Sequence, residues 1–155
     1  MEPTAELLAL PKEYGRATRK LAWATVRAEL EQATQYWIAT SRADGRTHMV
    51  PVDGLWLDDV LFYGGSAQTV HYRNVLANPN VVVHLPDPVK AVIVEGDARL
   101  ANPSPALAQR LAAASQAKYG YGQDAGGYQG ALGVYPRRVR AWTAFPKDAT
   151  GFRFA

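Results

Sequence analysis

Apolar and polar positions change period along this chain, and the changes mark its elements. From about Thr18 to Thr34 good helix formers predominate, with Leu21, Ala24, Ala28, Leu30 and Ala33 forming a rough apolar face, which predicts a first helix ending near Gln35. Tyr36 to Ser41 (YWIATS) is aromatic and β-branched and predicts a strand. Ala43-Asp44-Gly45-Arg46 turns the chain, and a second strand returns through His48, Val50 and Val52 to Leu57. Asp58-Asp59 turns again into Val60–Tyr63, predicting an antiparallel meander of three strands.

The stretch from Val60 to Leu85, VLFYGGSAQTVHYRNVLANPNVVVHL, organises the rest: strand, Gly64-Gly65 turn, short helix, Asn78-Pro79 stop, then a strand over Asn80–Leu85. The valines of that fourth strand are expected to be buried on both faces. After the rigid Pro86-Asp87-Pro88 loop, KAVIVEGDARLA from Lys90 to Ala101 predicts a long fifth strand bent at Gly96. Ser104 as N-cap and Pro105 at the first position open a helix to about Lys118. Tyr119 to Gly130 (YGYGQDAGGYQG) is expected to be a mobile connection, and Gly133 to Phe145 a sixth strand. Residues 1–17, with Pro3 and Pro11, read as an irregular arm, and 146–155 as a C-terminal tail.

These elements predict an α+β, mainly β domain: six antiparallel strands whose sheet closes on itself because exposed edges are hazardous, with helices at the periphery. Tight turns between the first strands exclude a doubly wound parallel sheet, and neither GxGxxG after the first strand nor GxxxxGK[ST] occurs. At 155 residues and 48% hydrophobic, the chain is read as one domain with a sizeable core. Without cysteine there is no thiolate metal site, disulfide framework or cysteine nucleophile, and a cytoplasmic setting is expected. No segment is long and apolar enough to span a bilayer as a helix. A formal charge of +3 is too modest for a nucleic-acid partner without a concentrated basic face, but suits an anionic small ligand.

The candidate chemistry lies at the glycine elbow. Gly64-Gly65 opens backbone conformations closed to other residues, and Ser66, Gln68 and Thr69 bring hydroxyl and amide groups to a helix N-terminus, with His71, Arg73 and Asn74 following within two turns. Such an elbow can hold an anion; the same pattern also fits a capped connector helix facing water. His48 and His84 read as structural strand histidines, and the three histidines lack metal-ligand spacing. No GxSxG elbow supports hydrolysis. Arg137, Arg138 and Arg140 are either solvated or rim a groove.

Several motifs in order carry a resemblance. YWIATSRADGRTHMVP, Tyr36 to Pro51, resembles the opening strand pair of the pyridoxamine 5′-phosphate oxidase-like split β-barrel proteins, with their A-T-x-x-x-D-G-R-P-H-x-x-P pattern. TVHYRNVLANP, Thr69 to Pro79, is similar to that superfamily's S-x-K-x-x-N-L-x-x-x-P, and Val81 to Gly96 to its V-x-V-H-L and V-V-I-V-E-G. The C-terminal PRRVRAWTAFPKDATGFRF resembles the closing strand and tail of the flavin/deazaflavin-dependent branch.

The resemblance implies a split barrel forming a homodimer, with cofactor sites for FMN or the deazaflavin coenzyme F420 at the interface. It places Thr69 and His71 at the family's phosphate-facing hydroxyl and lysine positions, Ser66 beside them, and Asn74 at the family asparagine. It also sets Pro51, Val52 and Asp53 beside the ring system and Trp142 near the dimer groove. His71 replaces a permanently charged lysine, with Arg73 as a compensating cation, and Gly151 stands where the tail pattern often has arginine. The implied activity is an F420- or FMN-dependent oxidoreductase passing hydride to a small conjugated acceptor. The alternative is a non-catalytic carrier of a flavin, deazaflavin or haem-like ligand. Pyridoxamine phosphate oxidation itself is less favoured, because the closing R-x-H substrate motif has no counterpart after Arg140. Trp37, Trp56, Trp142 and the many tyrosines exceed what one small core readily uses, which also points to a dimer interface.

Overall fold

Alternation along the strands decides which side of the sheet becomes the core. The computed structural model describes residues 2–122 and 125–155. In chain order it contains β1 (Thr4–Leu7), α1 (Trp23–Gln32), β2 (Tyr36–Ser41), β3 (Thr47–Val52), β4 (Gly54–Leu57), β5 (Val60–Tyr63), α2 (Val70–Ala77), β6 (Asn80–His84), β7 (Ala91–Leu100), α3 (Pro105–Tyr119), β8 (Leu132–Trp142) and β9 (Thr150–Arg153), with short 3-10 turns at Lys12–Tyr14 and Ala125–Tyr128. All ladders are antiparallel, in the order β1-β9-β8-β7-β6-β2-β3, with β5 joining β4 to β8. The outer edge of β8 is shared: Leu132–Val134 takes β5 and Arg138–Ala141 takes β9. The path bends round through the β3–β4 junction, where the two strands share no ladder. The result is an α+β split barrel.

Tyr36, Ile38, Leu61, Val83, Val94, Val134, Val139 and Phe152 fill the interior, and α1 closes it with Trp23, Val26 and Leu30. On the other face of β4 and β5, Leu55 and Phe62 pack against Leu111 of α3. The β4–β5 hairpin is therefore buried on both sides. Its two-residue turn has Asp58 and Asp59 at φ 52° and 59°, the backbone of a type I′ turn. Their carboxylates grip the flanking helices, Asp58 through Arg110 and Asp59 through Arg27.

The strand number is nine rather than six, and each addition has a tertiary cause. The expected arm contains β1, whose partner is the distant β9 inside the expected tail, and β9 in turn pairs with β8 on its other side. The expected second strand breaks at Asp53 into β3 and β4, so β3 pairs with β2 while β4 pairs with β5, and the three-strand meander does not form. Helix α1 starts at Trp23 rather than Thr18, because the Thr18 and Arg19 amides donate to Lys147 O and the Leu21 amide to Thr150 Oγ1, holding the approach extended. The β6 valines are not all buried: Val81 and Val83 face the core, whereas Val82 is 38% exposed. Gly96 lies opposite a bulge in β8, where Arg137 is the extra residue between the Glu95–Arg138 and Gly96–Pro136 pairs, and a Cβ on Gly96 would lie 2.5 Å from Tyr135 O. Ser104 caps α3 by accepting from the Leu107 amide. Of the stretch expected to be mobile, Gln123 and Asp124 lie outside the described residues.

Candidate functional site

A cavity of about 650 Å³ lies between the β3–β4 junction, the β5–α2 elbow and the segment that follows α3. Pro51, Val52 and Asp53 form one wall, Gly64, Gly65 and His71 another, and Tyr119, Tyr121 and Tyr128 a third.

The elbow follows from local chemistry. Gly65 sits at φ +134°, a conformation that favours glycine, and a Cβ there would lie 3.2 Å from Nε2 of His71. Its bare backbone lets the chain pass against the imidazole. Ser66 Oγ accepts from the Gln68 amide, and Thr69 donates to Ser66 O through both its amide and its hydroxyl. The Thr69 hydroxyl is thus spent as a donor within the turn, the Ser66 oxygen accepts there, and neither residue lines the cavity.

His71 is 7% exposed and its Nδ1 has no partner, while its neighbour Tyr63, with ring centroids 5.9 Å apart, is 4% exposed with an unpartnered hydroxyl. Burial, then the field of His48, pushes the His71 pKa down, so the imidazole is held neutral. Burial, then Tyr72, pushes the Tyr63 phenol up. A buried ring nitrogen without a partner is tolerated better as an acceptor than as an N–H, which leaves Nε2 to carry the proton.

The third wall is tied down by its own hydroxyls. Tyr119 OH donates to Gly54 O at 2.7 Å and accepts from the Gly54 amide at 2.9 Å, and burial is the main cause raising its pKa. The Tyr119 ring stacks on Tyr121 at 5.6 Å. The Tyr121 hydroxyl donates to Asp53 Oδ2 at 2.8 Å while Gln35 donates to Oδ1 at 2.8 Å, and the Asp53 bond pushes the Tyr121 phenol up to about 12. Tyr72 OH fixes the far end of the wall by donating to Gly130 O.

Of the residues singled out in the sequence, Pro51, Val52, Asp53 and His71 meet at this cavity. Arg73 is exposed and lies two residues from His71, about 200° round the helix at 3.6 residues per turn, so the two cannot act on one ligand atom. Asn74 donates to Thr40 Oγ1, a buried hydroxyl. Trp142 packs edge-on to Phe145 and borders a separate pocket of about 30 Å³ beside Leu21 and Lys90. Sequence reasoning missed Tyr63, Tyr119, Tyr121 and Tyr128; the tyrosine-rich stretch from the end of α3 was the signal for the last three, its aromatic content arguing for a wall rather than a loose connection, and Tyr63 at the end of β5 carried none. Among the described residues no three histidine, aspartate or glutamate side chains cluster as a metal site.

The sequence profile described as pyridoxamine 5′-phosphate oxidase matches residues 22–143, most of the chain. The chain belongs to the pyridoxamine 5′-phosphate oxidase family. Solved structures share its fold. A heme binding protein from Mycobacterium smegmatis is 20% identical with a TM-score of 0.64, covering 86% of this chain and 59% of its own. An FAD binding protein from the same organism is 18% identical, TM-score 0.57, covering 88% and 100%. An F420 reductase is 22% identical, TM-score 0.55, covering 73% and 94%. No curated protein matches the sequence.

Within this family's fold, the cavity divides the fit of a flavin-type cofactor in two. Aromatic walls, a glycine backbone and the neutral His71 Nε2 suit a planar ring with hydrogen-bonding edges. A phosphate does not fit equally: among the described residues no lysine or arginine lines the cavity, and Asp53 is a carboxylate that does. No helix among the described residues is long and apolar enough to cross a membrane.

Proposed function

We propose that this protein binds the ring of a flavin or deazaflavin in the cavity beside Pro51–Asp53 and His71, and works as an oxidoreductase on a small conjugated acceptor. The observation that carries the reading is the pairing of a 650 Å³ aromatic cavity with an unpartnered, nine-tenths buried imidazole at its wall. A ring of this class brings its own hydride chemistry when bound. The chain's residues then have three tasks: Tyr119 and Tyr121 flank the ring, His71 Nε2 donates to its edge, and the Gly64–Gly65 backbone admits it closely. The family's flavin and F420 neighbours support this choice of ligand class, and FMN and F420 remain the named candidates.

A homodimer is part of the reading. On the outer face of the β3-β2-β6 sheet, Trp37 lies between Pro51 and His84, stacked on His84, and Ala39 between Met49 and Val82. Met49 is 48% exposed and Val82 38%, so this apolar strip lacks a cover among the described residues. Pro51 belongs to both strip and cavity, which supports a cavity completed at the interface. Light scattering is expected to give about twice the 16.9 kDa chain mass, and Met49→Lys to shift it toward one.

The carrier reading has its own observation. His71 is neutral and the cavity has no lining cation among the described residues, which suits retention of a ligand over use of a phosphate-anchored cofactor. Titrating pure protein with riboflavin, FMN, F420 and haem, followed by oxidation of bound reduced cofactor with quinones and enones, tests both. Binding with turnover supports the oxidoreductase; binding without turnover across the acceptor panel supports the carrier. The absence of binding by any ring would overturn the proposal. For a chain without cysteine, we take the cytoplasm as the place of action.

A further inference from the structure

The charge at the cavity wall bears on which ring ligand can enter. Asp53 ends β3 at the junction with β4, with both carboxylate oxygens held: Oδ1 by Gln35 Nε2 and Oδ2 by the Tyr121 hydroxyl, each at 2.8 Å. Neither partner is a cation, so the bonds orient the carboxylate without neutralising it. No lysine or arginine lines the cavity among the described residues, and His71 presents a neutral N–H. Ser66 and Thr69 do not line the cavity, and Arg73 lies on another side of α2.

We propose that Asp53 is the specificity-determining residue of this cavity, selecting the uncharged, non-phosphorylated form of a ring ligand over its phosphorylated form. The inference rests on the ring-binding reading above and deepens it. An entering phosphate would shed water beside an oriented carboxylate with no compensating cation among the described residues of its own chain, whereas an uncharged ring with a polyol tail meets acceptors and donors of matching kind. Asp53 stays where it is because its two hydrogen bonds come from elements fixed elsewhere: Gln35 leads into β2, and Tyr121 is stacked on Tyr119, itself bonded to Gly54.

Riboflavin and FMN share one ring and differ by a phosphate, which makes them the probes. Fluorescence titration of the intact protein at pH 8 and low salt is expected to show riboflavin binding about tenfold or more tighter than FMN. Asp53→Asn keeps the side-chain shape and an acceptor oxygen, and is expected to narrow the ratio of riboflavin to FMN affinity several-fold, whatever its common effect on both. Raising the salt should narrow the wild-type gap in the same direction. FMN binding as tightly as riboflavin, or a gap unmoved in a folded Asp53→Asn variant, overturns the assignment while leaving ring binding intact. Failure of both flavins to bind overturns the assignment together with the reading beneath it.

Discussion

The hydroxyl of Tyr121 donates to Oδ2 of Asp53 across the cavity mouth, at 2.8 Å, joining the segment after α3 to the end of β3. This bond favours the neutral phenol and raises the Tyr121 pKa to about 12. Between the unfolded value near 10 and the folded one, the unfolded chain loses the proton first, so the stability this group contributes is present below pH ~10 and declines above it. Phenolate absorbance is expected to show one fewer late-titrating tyrosine in Tyr121→Phe or Asp53→Asn than in wild type, with Tyr63 and Tyr119, both raised by burial, still titrating late. The same late component in wild type and both variants would contradict the bond.

Gly65→Ala places a methyl group at φ +134° and 3.2 Å from His71 Nε2. Strain at such a backbone position costs about 1–3 kcal/mol. Thermal unfolding is expected to show a loss in that range, and riboflavin affinity to fall further, since the methyl group crowds the imidazole edge. Gly64→Ala, where nothing lies within 4 Å of the new Cβ, is the control for stability and should leave thermal unfolding nearly unchanged.

His71 gives stability a pH dependence of fixed sign. Burial lowers its folded pKa below the ordinary value of 6.5, so between the lowered value and 6.5 the unfolded chain binds more protons. Stability is therefore full above pH ~6.5 and falls as pH drops through that window. Urea unfolding from pH 5 to 8 is expected to show this slope in wild type and a smaller one in His71→Gln. Anionic ligands report the converse: FMN affinity should rise as pH falls through the same window, because only the imidazolium form adds charge. His71→Lys is expected to tighten FMN at pH 8 by about 1–2 kcal/mol.

Asn74 separates a binding role from a packing one. Its Nδ2 donates at 3.1 Å to Thr40, whose side chain is 1% exposed, so removal strands a buried hydroxyl. Asn74→Ala is expected to cost about 1–2 kcal/mol of stability with ligand affinity unchanged once the protein is folded. A loss of affinity at full stability would instead give Asn74 a direct contact with the ligand.

Local pattern alone determined much of this protein. β2, β5, β7, α2 and α3 lie close to where periodicity, Ser104 and the Asn78-Pro79 stop put them, because each signal concerns residues within a few positions of one another. The split-barrel class was legible for the same reason, through ordered short motifs spread over nearly the whole chain. What only the tertiary structure decided involves partners far apart. β1 and β9 are four-residue segments that become strands by pairing with each other, and α1 is delayed to Trp23 by carbonyl and hydroxyl groups near residue 150. The break at Asp53 arises because β3 and β4 find different neighbours. The cavity was the least legible feature. It is space left between Pro51–Asp53, the Gly65–His71 elbow and Tyr119–Tyr128, and its shape depends on where the Tyr119 and Tyr121 hydroxyls find Gly54 and Asp53. Sequence periodicity reports which side of an element is buried; it carries no record of which distant side chains meet there, and that meeting sets both the room for a ring and the charge beside it.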